Sequence, residues 1–323
     1  MLSRVPISSS TVLLNKFTKD LLLLRRGPTA RFAPNLYVFP GGVIEKNIDT
    51  EFPMQLSNYG NIKGIQLVPE RLENDFGLRV CSLRELFEET GLLFVADKVT
   101  NKKKTLSTLE DPLLNKMKMK IRKDPKLFKD LFTDFNIDLE ILSPWSHWVT
   151  PATFPMRFET IFYKMSVDDN YKVDLCSKEM TDYTWMKALD VLKNPNVKNF
   201  LPPPQVYEMY KLYWSEFENI EVERDLIYPQ LIFAKDPSKP DIYALPGDHL
   251  FIDNITEEVR ETKRVMTVEE VDTYSKDKKV NRVIFSNFKD SNIADVVVRN
   301  FSDNDENKQA VKMQKLLSKY SLK

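Results

Sequence analysis

Cysteine, histidine and glycine are scarce in this chain of 323 residues, and the scarcity excludes several kinds of site. The sequence contains 2 Cys, 2 His and 8 Gly, and the two cysteines, Cys81 and Cys176, lie far apart. Such a pair supports neither a disulfide framework nor a zinc site, and it is typical of a reducing, intracellular compartment. With two histidines available, we expect neither a histidine-built metal centre nor a Ser/His/Asp triad. Any catalysis should therefore depend on carboxylates.

Net charge and long apolar runs are also lacking. The 47 Lys and Arg residues balance the 47 Asp and Glu residues, so the chain has no global basic field that would attract nucleic acid. The densest apolar stretch, the four leucines at 21–24, is far shorter than the roughly 20 residues that span a bilayer. We therefore expect a soluble protein with no nucleic-acid or membrane partner. The sequence leaves its oligomeric state open.

Neither end of the sequence carries a convincing targeting signal. Residues 1–19 contain Arg4, Lys16 and Lys19 but no acid, which is the composition of a mitochondrial transit peptide. The same region fits a β-hairpin, with strands at 9–14 and 21–24, and we favour this interpretation. The final Ser-Leu-Lys holds the letters of the peroxisomal signal Ser-Lys-Leu in a different order, so we do not count it as a signal.

Short apolar runs and amphipathic segments predict a mixture of strands and helices. Residues 79–89 have apolar side chains three and four apart and are followed by Gly91, which predicts a helix with a glycine stop. The lysine-rich stretch at 101–129 is predicted to be a solvated surface helix rather than a nucleic-acid patch. Further strands are predicted at 36–39, 145–148, 157–165, 230–234, 283–285 and 296–298, further helices at 206–217 and 306–320, and a strand that runs into a helix at 178–192.

The chemistry of the chain is concentrated at residues 84–92, which read R-E-L-F-E-E-T-G-L. On a helix the three glutamates are spaced i, i+3 and i+4, so their carboxylates point to one side. Like charges at this spacing repel one another, whereas a divalent cation such as Mg²⁺ or Mn²⁺ takes carboxylate oxygens as ligands. A lone Glu-x-x-Glu-Glu is usually a solvated acidic face, but the residues around this one favour a metal site.

This segment matches without a mismatch the second half of the Nudix box, G-x5-E-x7-R-E-U-x-E-E-x-G-U, in which U is a bulky aliphatic residue. Glycines stand where that loop–helix–loop motif requires them, at Gly41, Gly42 and Gly91. The chain therefore resembles the Nudix hydrolase superfamily, and the resemblance implies an α/β fold, the Nudix α/β/α sandwich with a mixed sheet. It also implies a Mg²⁺ or Mn²⁺ cofactor and catalytic roles for Arg84, Glu85, Glu88 and Glu89. Glu85 and Glu89 would be metal ligands, Glu88 a further ligand or the residue that orients the water, and Arg84 the partner that fixes the helix.

The first half of the box departs from the pattern. Gly42 and Arg84 are separated by 41 residues where the pattern allows 13, so 28 residues are inserted, at about 50–77. Counting forward from Gly42 reaches Ile48, with Asp49 one place late, and counting back from Arg84 reaches Phe76, with Asp75 one place early. The identity of the first carboxylate of the box is therefore open between the two aspartates.

An insertion inside the box is similar to that of the coenzyme A diphosphatase branch, the nucleoside diphosphate-linked moiety X motif 19 type, which is associated with mitochondria or peroxisomes. The resemblance covers about residues 9–252, and it predicts a Nudix domain at 9–220 with a C-terminal α/β extension at 221–323 packed on it. Short segments also agree with this branch, at 38–42, 148–151, 157–160, 201–203 and 245–248.

A coenzyme A pattern, L-L-T-x-R-(S/A)-x3-R-x3-G-x3-F-P-G-G, also matches residues 22–42 in part. Arg26, Arg31, Gly41 and Gly42 match, whereas Asn35 replaces a glycine of the pattern. The resemblance implies that the four matching residues bind substrate. Arginines can contact a phosphate through two nitrogens, although a solvated strand end would also explain the first of them.

The resulting interpretation is a metal-dependent diphosphatase that hydrolyses CoA or acyl-CoA to adenosine 3′,5′-bisphosphate and (acyl-)4′-phosphopantetheine. Two alternatives remain, a Nudix hydrolase of another nucleoside diphosphate derivative such as ADP-ribose or a dinucleotide, and a non-catalytic module that binds a nucleotide or a partner. Glu159 and Glu179 are both candidates for the general base. Trp145, Trp148, Phe158, His147 and Cys81 are interpreted as core or structural residues rather than as site residues.

Overall fold

The computed structural model describes residues 5–175, 179–217, 226–286 and 294–320. The chain forms two compact units: the first consists of Leu2–His147 and Phe158–Trp185, and the second of Trp148–Arg157 and Met186–Lys323. Both units mix strands with helices, so the predicted α/β class is confirmed. Cys176 lies outside the described residues.

The first unit contains most of the strands and the glutamate helix. Its strands are β1 (Ile7–Asn15), β2 (Asp20–Arg26), β3 (Tyr37–Val38), β4 (Gly41–Val43), β5 (Leu92–Asp97), β6 (Lys103–Ser107), β7 (Phe135–Ile137), β8 (Ser143–Val149), β9 (Glu159–Val167) and β10 (Met180–Lys187), the last residues of β8 and β10 passing into the second unit. Its helices among the described residues are α1 (Phe76–Thr90) and α2 (Pro112–Ile121).

Strand β1 is the centre of a mixed sheet whose strand order includes β10-β2-β1-β9-β8. It pairs in parallel with β9 from Ile7 opposite Glu159 to Asn15 opposite Val167, and antiparallel with β2 and β4. A smaller sheet has the order β6-β5-β7. Helix α1 packs against β1, β4 and β9 of the first sheet and against β5 of the second, so the glutamate helix contacts both sheets.

The predicted hairpin of β1 and β2 is confirmed, and a local turn explains it. Asn15 accepts hydrogen bonds from the amides of Phe17 and Thr18 through its side-chain oxygen, and Lys19 adopts a positive φ of 64°. An asparagine that caps the backbone two residues further on is a common turn former. The apolar residues of the two strands, including Leu13, then join the buried core of the unit.

Helix α1 begins and ends at residues that fit its boundaries. The predicted span 79–89 lies inside the observed Phe76–Thr90. Gly91 follows in the left-handed conformation with φ of 73°, and its amide donates to the carbonyl of Phe87. A Cβ at Gly91 would lie 2.2 Å from the hydroxyl of Thr108, so both the backbone and the packing require glycine there.

The single surface helix predicted at 101–129 is wrong. The stretch forms strand β6, then helix α2, and then a 3-10 helix at Pro125–Leu131. Strand β6 begins with two lysines. Asp111 is the N-cap of α2, and its side chain accepts hydrogen bonds from the amides of Leu113 and Leu114. A Lys-rich composition did not show that residues 103–107 complete a sheet, because pairing with β5 depends on a neighbour outside the stretch.

The second unit contains a five-stranded sheet in the order β14-β12-β13-β15-β16. The strands of this unit are β11 (Leu226–Ile227), β12 (Gln230–Ala234), β13 (Asp241–Ala244), β14 (Arg264–Met266), β15 (Val280–Phe285) and β16 (Ala294–Arg299). Its helices among the described residues are α3 (Ala188–Lys193), α4 (Pro195–Lys198), α5 (Pro203–Phe217), α6 (Glu257–Glu261), α7 (Val268–Ser275) and α8 (Lys308–Tyr320). Helix α5 packs against β15, β16 and α8, and the strands and helices predicted in this region are confirmed.

The division into units differs from the predicted domain boundary. The prediction separated residues 9–220 from 221–323, whereas the structure groups residues 186–217 with the C-terminal part because α5 packs on its sheet. The extent of the Nudix domain therefore stays a prediction. Within the described parts of the chain, no helix is both long enough and apolar enough to cross a bilayer.

Candidate active site

Helix α1 holds Arg84, Glu85, Glu88 and Glu89 within two turns, as predicted. The three acids are largely removed from water, because Glu89 is 3% exposed and the side chains of Glu85 and Glu88 are 20% and 16% exposed. Burying carboxylates is unfavourable unless hydrogen bonds or opposite charges compensate them. The acidic face is therefore not the solvated surface that such a pattern usually forms.

Arg84 supplies part of that compensation and is itself 1% exposed. Its Nη1 lies 2.8 Å from Oε1 of Glu85 and 3.0 Å from Oε1 of Glu88. Its Nε and Nη2 donate to the two carboxylate oxygens of Asp49 at 2.8 and 2.9 Å. One guanidinium thus fixes three carboxylates, which is a task for the rigid five-donor fork of arginine.

The structure separates the two candidates for the first carboxylate of the box. Asp49 lies on a single π-type turn, Lys46–Thr50, is fully buried, and binds Arg84. Asp75 precedes α1 and binds Arg79 at 2.7 Å, and it also accepts a hydrogen bond from Tyr59 of the inserted segment. Asp49 therefore joins the acidic face, and Asp75 anchors the returning end of the insertion in the core.

Gly41 and Gly42 form the start of β4 and lie against both β1 and α1. The amide of Gly41 donates to Oε2 of Glu89 at 3.1 Å. A Cβ at Gly42 would lie 2.3 to 2.7 Å from the carboxyl atoms of Glu85. Gly42 therefore lets the backbone approach the carboxylate of Glu85, whereas Gly41 lets β4 lie close to β1 while its amide reaches Glu89.

Burial and mutual repulsion change the acidity of all three glutamates. Burial raises the pKa of Glu85 to about 7, and the charges of Glu88 and Asp49 add to this while Arg84 opposes it. Burial raises the pKa of Glu89 well above its usual range, with a further contribution from Glu85 and opposition from Arg26. The pKa of Glu88 is also raised, first by burial. If all of its acids were ionised, the face would carry more negative charge than its arginines neutralise, and the raised pKa values express the cost of that state.

The two arginines of the coenzyme A pattern lie in different surroundings. Arg26 ends β2 close enough to Glu89 to lower the pKa of that carboxyl, and its buried Nε has no hydrogen-bond partner among the described residues. Arg31 is exposed on the loop between β2 and β3. In that loop Asn35 adopts a positive φ of 62°, which explains why the pattern has glycine at this position and why asparagine can replace it.

The two candidates for the general base also differ. Glu159 accepts from Arg71 at 2.7 Å and contacts Nε2 of His147 at 3.0 Å, and although burial opposes the shift, these two partners lower its pKa. A carboxylate held in this way is a poor proton acceptor. Glu179 is exposed, and its charge raises the pKa of both Glu88 and Glu89, so it lies near the acidic face.

The residues interpreted as structural are buried or packed. Trp145 and Trp148 are 2% and 3% exposed, and Phe158 stacks edge-on against Phe32 with ring centroids 5.2 Å apart. Cys81 is buried beside Gly42, and burial raises the pKa of its thiol well above the usual value. Sequence reasoning missed Arg71, because it lies in the inserted segment, where no motif position marks it.

The donor chemistry at the acidic face suits a hard divalent cation. Asp49, Glu85, Glu88 and Glu89 supply four carboxylates, and Arg84 and Arg26 supply two positive charges, so a dication would balance the ionised set. Within the described ranges no group of three or more Asp, Glu, His or Cys side chains is already arranged to hold a metal ion. The residues fit the ion by type and charge, and their carboxylates would have to turn toward it.

Comparison with known proteins agrees with this geometry. The model of the family described as NUDT19 Nudix domain matches residues 59–212. A putative nudix hydrolase 7 of Caenorhabditis elegans is 32% identical over 251 residues, which is 76% of this chain and 74% of that protein. The acyl-coenzyme A diphosphatase NUDT19 of Xenopus laevis is 26% identical over 282 residues, 72% of this chain and 71% of the relative. The human protein of the same name is 26% identical over 301 residues, with 76% and 77% covered.

A solved structure supports the fold. The crystal structure of a NUDIX hydrolase from Alicyclobacillus acidocaldarius superposes with a TM-score of 0.52 at 24% identity, covering 64% of this chain and 90% of that one. The chain therefore belongs to the Nudix hydrolase family and is a pyrophosphohydrolase by class. Within that family it matches the NUDT19 branch, which confirms the resemblance read from the insertion in the box.

Proposed function

We propose that this protein is a divalent-metal-dependent diphosphatase that hydrolyses CoA or acyl-CoA to adenosine 3′,5′-bisphosphate and (acyl-)4′-phosphopantetheine. The observation that carries the proposal is the buried acidic face of α1, where four carboxylates stand against two arginines. A face with this surplus of negative charge is unfavourable unless a cation binds to it. The names of the relatives supply the substrate class, since two of those compared are called acyl-coenzyme A diphosphatases.

Glu85 and Glu89 would hold Mg²⁺ or Mn²⁺, with Glu88 as a further ligand or as the residue that orients water. A bound dication lowers the pKa of water and neutralises phosphoryl oxygens. Arg84 keeps Glu85 and Glu88 in place through its two short contacts, and Asp49 keeps Arg84 in place. The four residues act together, because each contact fixes the rotamer of the next side chain.

Arg26 is our candidate for the first contact with a phosphate of the substrate. Its buried Nε has no hydrogen-bond partner within the part of the chain that the structure describes, so an incoming phosphate oxygen would satisfy it. Arg31, on the exposed loop, would contact the substrate from outside, and Gly41 and Gly42 would let the diphosphate approach α1. With Arg26 and Arg31 on two sides of the diphosphate, the site would favour a ligand that carries an additional phosphate group, as CoA does at its 3′ position.

Glu179 is our candidate for the group that accepts the proton of the attacking water. It is exposed, it has no paired cation among the described residues, and its charge acts on Glu88 and Glu89. Glu159 is committed to Arg71 and His147. Glu179→Gln should therefore lower kcat by at least about tenfold, whereas Glu159→Gln should act mainly on stability.

By the same family resemblance, the catalytic domain would extend over residues 9–220, the remainder would be an extension packed on it, and the protein would work in mitochondria or peroxisomes. These assignments follow the branch rather than any signal in the chain. A fluorescent fusion of the full-length protein, imaged against markers of both organelles, tests the compartment directly.

Product analysis is the experiment that tests the function. The purified protein is offered CoA, acetyl-CoA, ADP-ribose, NADH and a nucleotide sugar in parallel, with Mg²⁺ or Mn²⁺ and with a chelator. We expect adenosine 3′,5′-bisphosphate from the CoA compounds only, and none in the chelator. Cleavage of only the other compounds would keep the enzyme class and reject the CoA substrate. Turnover of none would favour a non-catalytic nucleotide-binding module.

A further inference from the structure

Helix α2 has a buried face and an outer face of opposite character. Leu114, Lys118 and Ile121 point inward, and Lys118 donates to the backbone carbonyl and the carboxylate of Asp174. The helix and the two residues after it, 112–123, contain five Lys and Arg and no Asp or Glu. One lysine of this segment is therefore buried on the inward face, and the other basic residues lie outside that face.

The outer face of α2 consists of three lysines and two apolar side chains. At 3.6 residues per turn the four of these positions that lie within the helix cover about a third of its circumference, opposite the buried residues, and the third lysine follows in the turn that ends the helix. Leu113 is 71% exposed and Met119 is 52% exposed, and the three lysines are exposed as well. We call this set the outer face of α2: Leu113, Lys116, Met119, Lys120 and Lys123.

The three lysines of this face have no ion pair with any residue in the described part of the chain. Lys103 and Lys118, which are near in sequence, are both paired with acids. Because the whole chain has a formal net charge of +0, the basic residues at 112–123 leave the rest of the chain with an excess of acid. An anionic surface would therefore attract this face and repel much of the remainder, which orients the protein.

We propose that the outer face of α2 docks the protein peripherally on an anionic lipid bilayer. Lysines near such a surface each strengthen binding by about fivefold, and exposed leucine and methionine gain by entering the boundary between headgroups and acyl chains. This inference stands independently of the proposed reaction. The sequence had led us to expect no membrane partner, and the proposal replaces that expectation with a peripheral contact at the membrane surface. The reason for the change is that the sequence could not show that the side chains of Leu113 and Met119 are exposed to solvent.

The composition of the face favours a bilayer over other anionic partners. Binding to single-stranded nucleic acid uses aromatic side chains on which bases stack, and α2 contains none. Protein interfaces are depleted of lysine at their centre, whereas lysines form the centre of this face and the apolar side chains lie at its two edges. Mobile lipid headgroups adapt to such a pattern, because each lysine can find its own phosphate or carboxylate.

Sedimentation with vesicles tests the proposal on the full-length protein. Vesicles of phosphatidylcholine alone are compared with vesicles of equal parts phosphatidylcholine and phosphatidylserine, at low salt and at physiological salt. We expect binding to the mixed vesicles only, and weaker binding at the higher salt because exposed charges are screened over about 8 Å there. No binding to the mixed vesicles at low salt would overturn the proposal.

Two pairs of substitutions test the residues. Lys116→Glu with Lys120→Glu should weaken binding to the mixed vesicles by at least about 25-fold, and Leu113→Gln with Met119→Gln by about tenfold. The matched controls are Lys235→Glu with Lys239→Glu, which make the same charge change at exposed positions of the β12–β13 turn, and Val259→Gln on α6. The controls should bind like the wild type, and all variants should keep its Tm.

Three results would reject a bilayer as the partner. One is equal loss of binding in the α2 variants and the controls, which would indicate a general charge effect. The second is binding to mixed vesicles that the α2 variants leave unchanged. The third is cosedimentation with single-stranded RNA that exceeds binding to the vesicles and depends on the same lysines, which would make nucleic acid the partner.

Discussion

Single side chains set the charge balance of the acidic face. Arg84 contacts Asp49, Glu85 and Glu88, whereas among the described residues Glu89 has the amide of Gly41 as its hydrogen-bond donor and Arg26 as its nearby cation. Burial disfavours the charged form of Glu89, and a bound dication would favour that form. This residue is the sharpest single test of a metal site.

Glu89→Gln should lower kcat by about a hundredfold or more, equivalent to about 2.7 kcal/mol of transition-state stabilisation. The substitution keeps the shape and removes one negative charge from the face. The measurement is steady-state kinetics with the best substrate over a range of Mg²⁺ concentrations. Glu110→Gln, at an exposed position before α2, is the control and should leave kcat unchanged.

Folding of Glu89→Gln should be intact, because neutralising a buried carboxylate relieves repulsion from Glu85. Thermal unfolding in a chelator should show a Tm equal to or above that of the wild type. Turnover like that of the wild type would mean that the acidic face is structural only.

At the scale of elements, the acidic face depends on two segments that approach α1 from outside. The π-type turn at Lys46–Thr50 delivers Asp49, and β4 delivers Gly41 and Gly42. Both segments precede the insertion, and Asp75 with Arg79 marks the point where the chain returns to the helix. The insertion thus lengthens the motif in sequence without separating its two halves in space.

The two aspartates should have different effects when each is changed to asparagine. Asp75→Asn leaves the buried Arg79 without its carboxylate and should lower the free energy of unfolding by about 3–5 kcal/mol. Asp49→Asn leaves the buried Arg84 with Glu85 and Glu88 and should lower it by less. Only Asp49→Asn should also lower kcat by about tenfold or more, because Arg84 would no longer be held against Glu85 and Glu88. Denaturant unfolding and kinetics at a temperature where both variants are folded make the comparison. A larger kcat effect in Asp75→Asn would reverse the assignment.

The neighbouring glycines of β4 offer a second contrast. A Cβ at Gly41 would lie 2.3 Å from the carbonyl oxygen of Ser9, which is backbone, so Gly41→Ala should destabilise the fold by about 1–3 kcal/mol. The three atoms nearest to a Cβ at Gly42 belong to the carboxyl group of Glu85, which is the far end of a flexible side chain and would be pushed away from its place beside Arg84. Gly42→Ala should therefore leave Tm nearly unchanged and raise the Mg²⁺ concentration needed for half-maximal activity by about tenfold. The opposite pattern in the two variants would contradict the placement of β4.

At the scale of the whole molecule, the acidic face makes stability depend on pH. The pKa of Glu85 is raised to about 7, and those of Glu88 and Glu89 are raised in the same direction, first by burial in each case. An acid with a raised pKa binds more protons in the folded state than in the unfolded state, so the free energy of unfolding increases as pH falls. For Glu85, the free energy of unfolding increases over the pH range from about 7 down to about 4.5, the ordinary pKa of glutamate.

In a chelator, the wild type should become more stable between about pH 8 and about pH 5, and Glu85→Gln should show a smaller increase. His249, whose pKa is lowered by burial, acts in the opposite direction in both proteins, so the difference between them isolates the glutamate. Urea unfolding at several pH values measures the effect. If the free energies of unfolding of the two proteins changed with pH in parallel, the pKa of Glu85 would not be raised.

Prediction from sequence was successful where the signal is local. The period of α1, its glycine stop, the β1–β2 hairpin and three of the six described strands of the second unit were predicted from neighbouring residues, and all of these are found. It was wrong at 101–129, where β6 exists because β5 lies beside it. It also could not choose between Asp49 and Asp75, because a spacing rule fails when residues are inserted.

The sequence by itself determined the chemistry of the site: three glutamates and an arginine in one helical period, glycines before and after them, and membership of the Nudix family. These features are local, and helix geometry converts their spacing directly into a shared face. Only the tertiary structure decided that Asp49 holds Arg84, that Glu159 is engaged by Arg71 and His147, and that Leu113 and Met119 face outward with lysines between them. Each of these depends on contacts or burial between segments distant in the chain, which no spacing along the sequence encodes.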